Sequence, residues 1–315
     1  MENLPLFHYS QPGPGVSKNA PPKKKIVLYF ELLGRKFFPL LKLNLLFLIP
    51  VAIAAVLVFI LGTTGVVLYI ACIPLILLAP FLGGLTYVTR NYAREEHAFI
   101  LSDFWDTAKS NWKQLMVHGI ITYLFIVFMD ISIRFSSLQI VQGRSFFYIP
   151  LVVCLLFCII FLFMQYYIPL MIITLELNLK AIYKNAWILS IAGFKQNILV
   201  TLVLILSFAL MLFLCVLSIP TMLIAFLLCG LFLFSFISFT VNFAVYPNIE
   251  DYLIKPYYQK QESQEEKEEK TEEKEREIPK KNSEYVYENG KLIKKSLLEQ
   301  EVLFEDSSVN KKEER

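Results

Sequence analysis

The sequence has little of what most enzyme active sites are built from. Its 315 residues include three histidines, and they contain neither a glycine-rich phosphate loop nor a spaced set of metal ligands. The cysteines lie inside apolar stretches without Cys-x-x-Cys spacing, which indicates packing and not redox or metal chemistry. The five are Cys72, Cys154, Cys158, Cys215 and Cys229. We therefore predict that the chain is not an enzyme and holds no metal or cofactor.

Charged residues are scarce as well, whereas apolar ones are abundant. Charged side chains make up 18% of the chain and hydrophobic ones 56%, against about 25% and roughly 45–50% in soluble domains. Residues 1–247 carry 16 Lys and Arg and 8 Asp and Glu, a balance of +8, and residues 248–315 carry 14 and 19, a balance of −5. This division predicts three parts: a disordered basic N-terminal segment (1–25), a membrane domain (26–247) and a charged, largely disordered cytoplasmic tail (248–315).

Six apolar runs are long enough to cross a membrane as helices. A span needs roughly 20 apolar residues to cross about 30 Å of hydrocarbon. The predicted fold is therefore an all-α integral membrane protein with six transmembrane helices. The runs are Phe37–Leu61, Val66–Val88, Leu115–Phe135, Phe147–Leu175, Ile198–Ser218 and Thr221–Tyr246.

The basic residues predict how the six spans are oriented. Cytoplasmic loops keep an excess of Lys and Arg. Fourteen of the 16 basic residues before residue 248 lie on one side of the predicted topology, and only Arg134 and Arg144 lie on the other. The prediction is a multi-pass protein of the bacterial inner membrane with both termini in the cytoplasm.

Two connections between spans have the pattern of amphipathic helices. Apolar residues recur at three- to four-residue spacing around Trp105 and again around Trp187, which is typical of helices lying at the membrane surface. Phe104, Trp105, Trp112, Tyr183 and Trp187 are the predicted membrane-interface residues. The two connections also match at an offset of 82 residues, where Trp105 corresponds to Trp187 and Lys113 to Lys195, so an internal parallel repeat is a further hypothesis.

Four polar residues inside spans form the candidate intramembrane site. Asp130 precedes Arg134 by four residues, so the two side chains can pair on one helix face. The pair is either a gate or ion contact, or a self-neutralised pair at the membrane interface. Gln165 and Asn242 are predicted to hydrogen-bond between helices.

Prolines mark one span as irregular. Pro74 and Pro80 are followed by Gly83 and Gly84. Each proline removes a backbone donor, and broken membrane helices often line substrate sites. This is where the sequence predicts a cavity, although proline is also frequent in membrane helices without such a role.

Several segments resemble the YesL-like family of bacterial membrane proteins. The resemblance covers roughly residues 30–250, and its most specific part runs from Thr86 to Gln114. Its segments are 37–39, 43–50, 86–90, 94–96, 102–105 and 109–114. The usual Thr-x-Gly-Pro-Ala-type turn after the first span is represented only by Ala79-Pro80. The resemblance implies a polytopic inner-membrane protein of unresolved activity, commonly encoded near carbohydrate uptake genes, and it supplies no catalytic residues.

The sequence leaves two functions open. The first is an accessory or interaction protein linked to carbohydrate uptake, which would bind the lipid bilayer and a membrane or cytoplasmic protein through its surface helices or tail, and no nucleic acid. The second is a small-solute transporter or channel.

In the tail, Asn289-Gly290 between two strand-like runs predicts a β-hairpin at 284–295 that pairs Glu288 with Lys291 and Val286 with Ile293.

Overall fold

The architecture comes from a computed structural model that describes residues 24–261, 263–264, 285–288 and 291–294. All but the last two residues of the predicted N-terminal segment 1–25 lie outside the described residues. The same holds for most of the predicted tail 248–315. The residues of the membrane domain are described throughout.

The described part of the membrane domain is helical. Its segments are α1 (Lys25–Arg35), α2 (Phe37–Thr63), α3 (Leu68–Ala71), a 3₁₀ helix (Ile73–Leu78), α4 (Ala79–Ala93), α5 (Ile100–Ser110), α6 (Trp112–Val141), a 3₁₀ turn (Ser145–Phe147), α7 (Tyr148–Thr174), α8 (Leu179–Ala192), α9 (Phe194–Leu217), α10 (Ile219–Leu228), a π-helical segment (Cys229–Leu233), α11 (Phe234–Ile249) and a second π-helical segment (Glu250–Ile254).

Among the residues that the structure describes, six segments are long and apolar enough to cross a membrane, which confirms the predicted number. We name them spans 1 to 6: Phe37–Thr63, Leu68–Ala93, Trp112–Val141, Ser145–Thr174, Phe194–Leu217 and Ile219–Gln261. Each overlaps its predicted run, and most extend a few residues further. Helical hydrogen bonding continues into polar flanks, whereas hydropathy marks only the apolar centre.

Span 2 is broken into three pieces at its prolines. Pro74 lies in the first turn of the 3₁₀ helix and Pro80 in the first turn of α4. A proline has no N–H to donate and its fixed φ suits the first turn of a helix, so each proline starts a new segment. Irregular backbone at membrane depth occurs where it is buried in protein or lines a cavity.

The surface helix α5 packs directly beneath span 2. Phe104 is fully buried, and its ring stacks on that of Phe81. Gly84 permits this approach, because a Cβ at that position would overlap the Phe104 carbonyl oxygen. Small residues let membrane helices come this close. Leu40, Leu85 and Phe239 complete the core with side chains from spans 1, 2 and 6.

The 82-residue offset reappears in the structure. Helix α6 begins at Trp112 and α9 at Phe194. Buried positions also recur at this offset, in surface helices and in the following spans. The buried pairs are Phe104 and Ala186, Thr107 and Leu189, Ala108 and Ser190, Leu115 and Asn197, and His118 and Val200. Helix starts and burial thus follow the sequence offset, while the duplication itself stays a prediction.

The side chain of Asn44 on span 1 is inserted into the backbone ladder of span 6. Asn44 is fully buried. Its Nδ2 donates to the Gly230 carbonyl at 2.6 Å, and its Oδ1 accepts from the Ser235 N–H at 2.9 Å. Gly230 and Ser235 are five residues apart, the spacing of a π-helical hydrogen bond. One amide side chain therefore satisfies both backbone groups where span 6 changes its winding.

The tail contains the predicted hairpin. Strands β1 (Tyr285–Glu288) and β2 (Lys291–Lys294) pair antiparallel. Glu288 lies opposite Lys291 and Val286 opposite Ile293, which is the predicted register. Residues 284, 289, 290 and 295 of the predicted hairpin lie outside the described residues.

Candidate functional site

The membrane domain has an open cavity of about 850 Å³ between five of its six spans. Ligand pockets in proteins commonly measure 300–1,000 Å³. Residues of spans 1, 2, 3, 4 and 6 line it. Along span 3 the lining runs from His118 to Arg134, and this distance is about 24 Å at 1.5 Å per residue.

The pieces of broken span 2 form one wall of this cavity. Leu75, Ile76 and Leu78 from the 3₁₀ helix line it, together with Ala79 and Leu82 at the start of α4. The cavity therefore lies where Pro74 and Pro80 predicted one. Gly119 on span 3 brings the two spans close together, because a Cβ there would lie 2.7 Å from the Ala79 Cβ.

All four residues of the predicted intramembrane site line this single cavity: Asp130, Arg134, Gln165 and Asn242. They come from spans 3, 4 and 6 and are separated by up to 112 positions in the sequence. In the structure they are distributed along the length of the cavity. Asp130 and Arg134 form one end, Asn242 lies at the other, and Gln165 is on the wall of span 4.

Asp130 organises the first end, which we call the latch end. Its Oδ2 accepts from Arg134 Nε at 2.8 Å and from Tyr69 Oη at 2.6 Å. Tyr123 Oη donates to the Tyr69 backbone carbonyl. The Asp130 and Arg134 side chains are 37% and 70% exposed, so the cavity reaches the protein surface here. The predicted ion pair is present, and Tyr69 additionally ties it to the broken span.

A hydrogen-bond network between spans 2 and 6 bounds the opposite end. Asn242 Nδ2 donates to the Thr86 carbonyl at 3.0 Å and to Thr89 Oγ1 at 2.7 Å. The Thr89 and Ser238 hydroxyl groups share a further hydrogen bond of 2.7 Å. This confirms that Asn242 joins two helices. One turn beyond Thr86, the buried Arg90 side chain donates to Thr174 on span 4.

Two polar groups on the cavity wall have no hydrogen-bond partner among the described residues. They are Nε2 of Gln165 and Oγ1 of Thr122, and both atoms are buried. The Gln165 side chain hydrogen-bonds the His118 side chain on span 3, as predicted, but its Nε2 has no partner within the described part of the chain. Its polar neighbours on the wall are partnered: His118 shares a hydrogen bond of 2.8 Å with Tyr183, and Tyr166 shares one of 2.9 Å with Thr201.

The five predicted membrane-interface residues have different environments. Trp112 and Trp187 are 52% and 43% exposed, as a membrane-interface position requires. Trp105 packs edge-on against Phe81. The prediction that Phe104 lies at the membrane interface is wrong, because its side chain is fully buried beneath span 2 and cannot contact lipid. An amphipathic pattern shows which face is apolar but not whether lipid or protein covers it.

Tyr183 is likewise tied to the protein interior. Its hydroxyl bonds the His118 ring on span 3, and burial raises the pKa of Tyr183 to about 12. The phenol is therefore neutral at physiological pH and can both donate and accept. Surface helix α8 is thereby connected to a residue of the cavity wall.

Sequence reasoning missed His118, Thr122, Tyr69 and Tyr123 as lining residues. A signal for two of them was present on span 3, where polar side chains recur every four residues or at multiples of four: His118, Thr122, Asp130 and Arg134. Residues at i and i+4 share one helix face, so this stripe marks the face turned to the cavity. Tyr69 carries no comparable signal, because it is a single hydroxyl in an apolar run.

The site offers no ready place for a metal. Within the described ranges no group of three or more His, Cys, Asp or Glu side chains is placed to hold an ion. The cavity instead combines a long apolar wall, a neutralised ion pair at one end and uncharged polar groups elsewhere. Such a lining is suited to holding a small molecule.

Comparison with known proteins finds one similarity. Residues 40–133 match the family described as "Protein of unknown function, DUF624". This is the family of the YesL-like proteins, so the resemblance is confirmed for that segment. The matched segment includes spans 1 and 2, helix α5 and most of span 3, and hence most of the cavity lining. No curated protein and no solved structure matches the chain.

Proposed function

We propose that this chain is a membrane transporter for a small solute, which it binds in the cavity between its spans. The observation that carries the proposal is the placement of all four residues of the predicted site on one cavity of about 850 Å³. An ionisable residue inside a membrane helix, such as Asp130 or Arg134, marks a functional site by default. Its placement on one cavity together with two amide side chains favours the transporter hypothesis over a purely structural role.

The broken span supports the same proposal. Transporters commonly bind substrate near the bilayer midplane beside discontinuous helices. Here the 3₁₀ helix Ile73–Leu78 and the start of α4 line the cavity. With the orientation predicted from the basic residues, the latch end of Asp130 faces the outside and the Asn242 network lies toward the cytoplasm. The solute would therefore enter past Asp130 and Arg134.

Blocking the cavity in proteoliposomes tests the proposal. Cys72 lines the cavity, while Cys154, Cys158, Cys215 and Cys229 do not, so these four are replaced by alanine. Swelling of the vesicles, followed by light scattering, measures entry of uncharged solutes that differ in apolar surface: xylitol, methyl β-D-glucopyranoside and butyl β-D-glucopyranoside. We expect faster entry of at least one solute than into protein-free vesicles. Reaction of Cys72 with a trimethylammonium methanethiosulfonate should then lower that rate by more than half.

A chain in which Cys72 is also alanine is the matched control, and its rate should not respond to the reagent. Entry no faster than into protein-free vesicles would overturn the proposal, as would an unchanged rate after complete modification of Cys72. Four further statements stay predictions from the sequence: an accessory role, a protein partner on the surface helices or tail, a link with carbohydrate uptake, and a bacterial inner-membrane location.

A further inference from the structure

The charges around the cavity restrict what can bind in it. Of the side chains that line it, only Asp130 and Arg134 carry a full charge at neutral pH. These two are paired with each other at 2.8 Å and lie at the latch end. A net charge deeper in the cavity would lack a counter-charge in an environment of low dielectric constant, where an unpaired charge is very costly. The lining therefore selects an uncharged molecule.

The unpartnered polar groups indicate where its polar end would bind. Gln165 Nε2 and Thr122 Oγ1 have no hydrogen-bond partner among the described residues, although both are buried. Buried polar atoms in folded proteins nearly always have one. An amide N–H and a hydroxyl can both donate, and both residues line the cavity. A hydroxyl or carbonyl oxygen is the matching acceptor.

The rest of the wall is suited to an apolar body. Phe47 and Val51 of span 1, Leu82 of span 2, and Phe234 and Ile237 of span 6 all line the cavity. A ligand with hydroxyl groups over its whole length would lose hydration along this wall without regaining hydrogen bonds. An alkyl chain or apolar ring would lose no hydrogen bonds along this wall, because it makes none with water.

We propose that the ligand is an uncharged amphiphile whose polar end binds at Thr122 and Gln165 and whose apolar part lies along spans 1, 2 and 6. This inference rests on the proposed function, because it names the class of molecule that the same cavity takes. The molecule comes either from the aqueous phase or from the bilayer, since a neutral lipid and a soluble alkyl glycoside share this chemistry.

Protection of Cys72 from modification tests the inference. The chain with Cys72 as its only cysteine is placed in lipid nanodiscs and exposed to a thiol reagent. Three probes with the same eight-carbon chain are compared below their micellar concentrations: octyl β-D-glucoside, octyl sulfate and octyltrimethylammonium. We expect octyl glucoside to protect Cys72 at concentrations at least tenfold lower than the two charged probes. A separate arm replaces the added probes with dioleoylglycerol in the nanodisc, and protection there identifies a membrane lipid as the source.

Thr122→Val and Gln165→Leu should each raise the half-protecting concentration of octyl glucoside about fivefold, the loss expected for one hydrogen bond. Thr122→Val removes no hydrogen bond of the free protein. Gln165→Leu also removes the hydrogen bond to His118, so its folding is checked by thermal unfolding, and Thr122→Val decides the test if Gln165→Leu is unstable. Thr122→Ser keeps the hydroxyl and should bind normally. Ser132→Ala, whose hydroxyl bonds the Phe128 carbonyl outside the cavity, is a second control.

The outcomes separate the inference from the proposed function. Equal protection of Cys72 by neutral and charged probes would overturn the inference. The same holds if the half-protecting concentration of octyl glucoside in Thr122→Val and Gln165→Leu equals that of the wild type. A Cys72 that fails to react even without probe would instead contradict the proposed function, because the cavity would then admit no small molecule.

Discussion

Replacing Gly84 with alanine is expected to lower the free energy of unfolding by about 1–3 kcal/mol, the usual cost of overpacking a tight contact. The added Cβ would overlap the backbone carbonyl oxygen of Phe104. A backbone atom cannot move aside as a side chain can, so the whole of α5 must shift away from span 2. Thermal unfolding in detergent measures the change, and the fluorescence of Trp105, which packs on the same contact, reports displacement of α5.

Gly34→Ala is the matched control for this substitution. Gly34 lies in α1, and a Cβ there would meet no atom within 4 Å. In a helix interior alanine is favoured over glycine by roughly 0.5–1 kcal/mol, so this variant should be at least as stable as the wild type. If Gly84→Ala unfolded at the same temperature as Gly34→Ala, the close packing of α5 against span 2 would be contradicted.

Asn44→Leu is expected to lower the free energy of unfolding by about 2–4 kcal/mol, because a buried N–H and a partly buried carbonyl lose their partner, at roughly 1–3 kcal/mol for a buried group. These groups are the Gly230 carbonyl and the Ser235 N–H, both bonded to the Asn44 amide. If the two groups bonded each other instead, span 6 would tighten around Phe234, which lines the cavity. Unfolding in detergent and hydrogen exchange at the Ser235 amide measure the two consequences.

Lys42→Ala is the control on the same helix. Lys42 is exposed, and substitutions at such positions usually change stability by less than about 0.5 kcal/mol. An Asn44→Leu protein with unchanged stability and a protected Ser235 amide would show that the amide is not needed to satisfy the backbone of span 6.

The sequence predicted those parts of the fold that depend on one helix at a time. Run lengths identify the six spans, and the two prolines located the break in span 2 beside the cavity. The Asp130–Arg134 pair was predictable for the same reason, since both residues lie on one face of α6. In each case the relevant neighbours are close in the sequence.

Contacts between distant segments were not predictable in this way. Asn44 bonds a carbonyl 186 positions away, and no local pattern reveals such a partner. Asn242 and Gln165 look alike as amides inside spans, yet the Asn242 amide nitrogen donates to two groups on another helix, whereas the Gln165 amide nitrogen has no partner among the described residues. Phe104 was assigned to the membrane interface because amphipathic spacing does not distinguish a lipid-facing side from one covered by span 2.

The central claim is that small molecules reach the cavity from the latch end. It is tested most directly by comparing the reaction rates of two cysteines in the wild-type protein. Cys72 lies four residues after the start of span 2 and lines the cavity, whereas Cys154 lies nine residues after the start of span 4 and does not line it. Membrane vesicles are treated with a charged, impermeant methanethiosulfonate, and mass spectrometry follows modification of each thiol.

We predict that Cys72 reacts at least tenfold faster than Cys154. In the Asp130→Asn variant the Tyr69 hydroxyl and Arg134 lose their charged acceptor. This change should increase the reaction rate of Cys72 further and leave that of Cys154 unchanged. Equal reaction rates at the two cysteines would contradict the account, because a thiol that lines a solute-accessible cavity should react faster than one that does not line it.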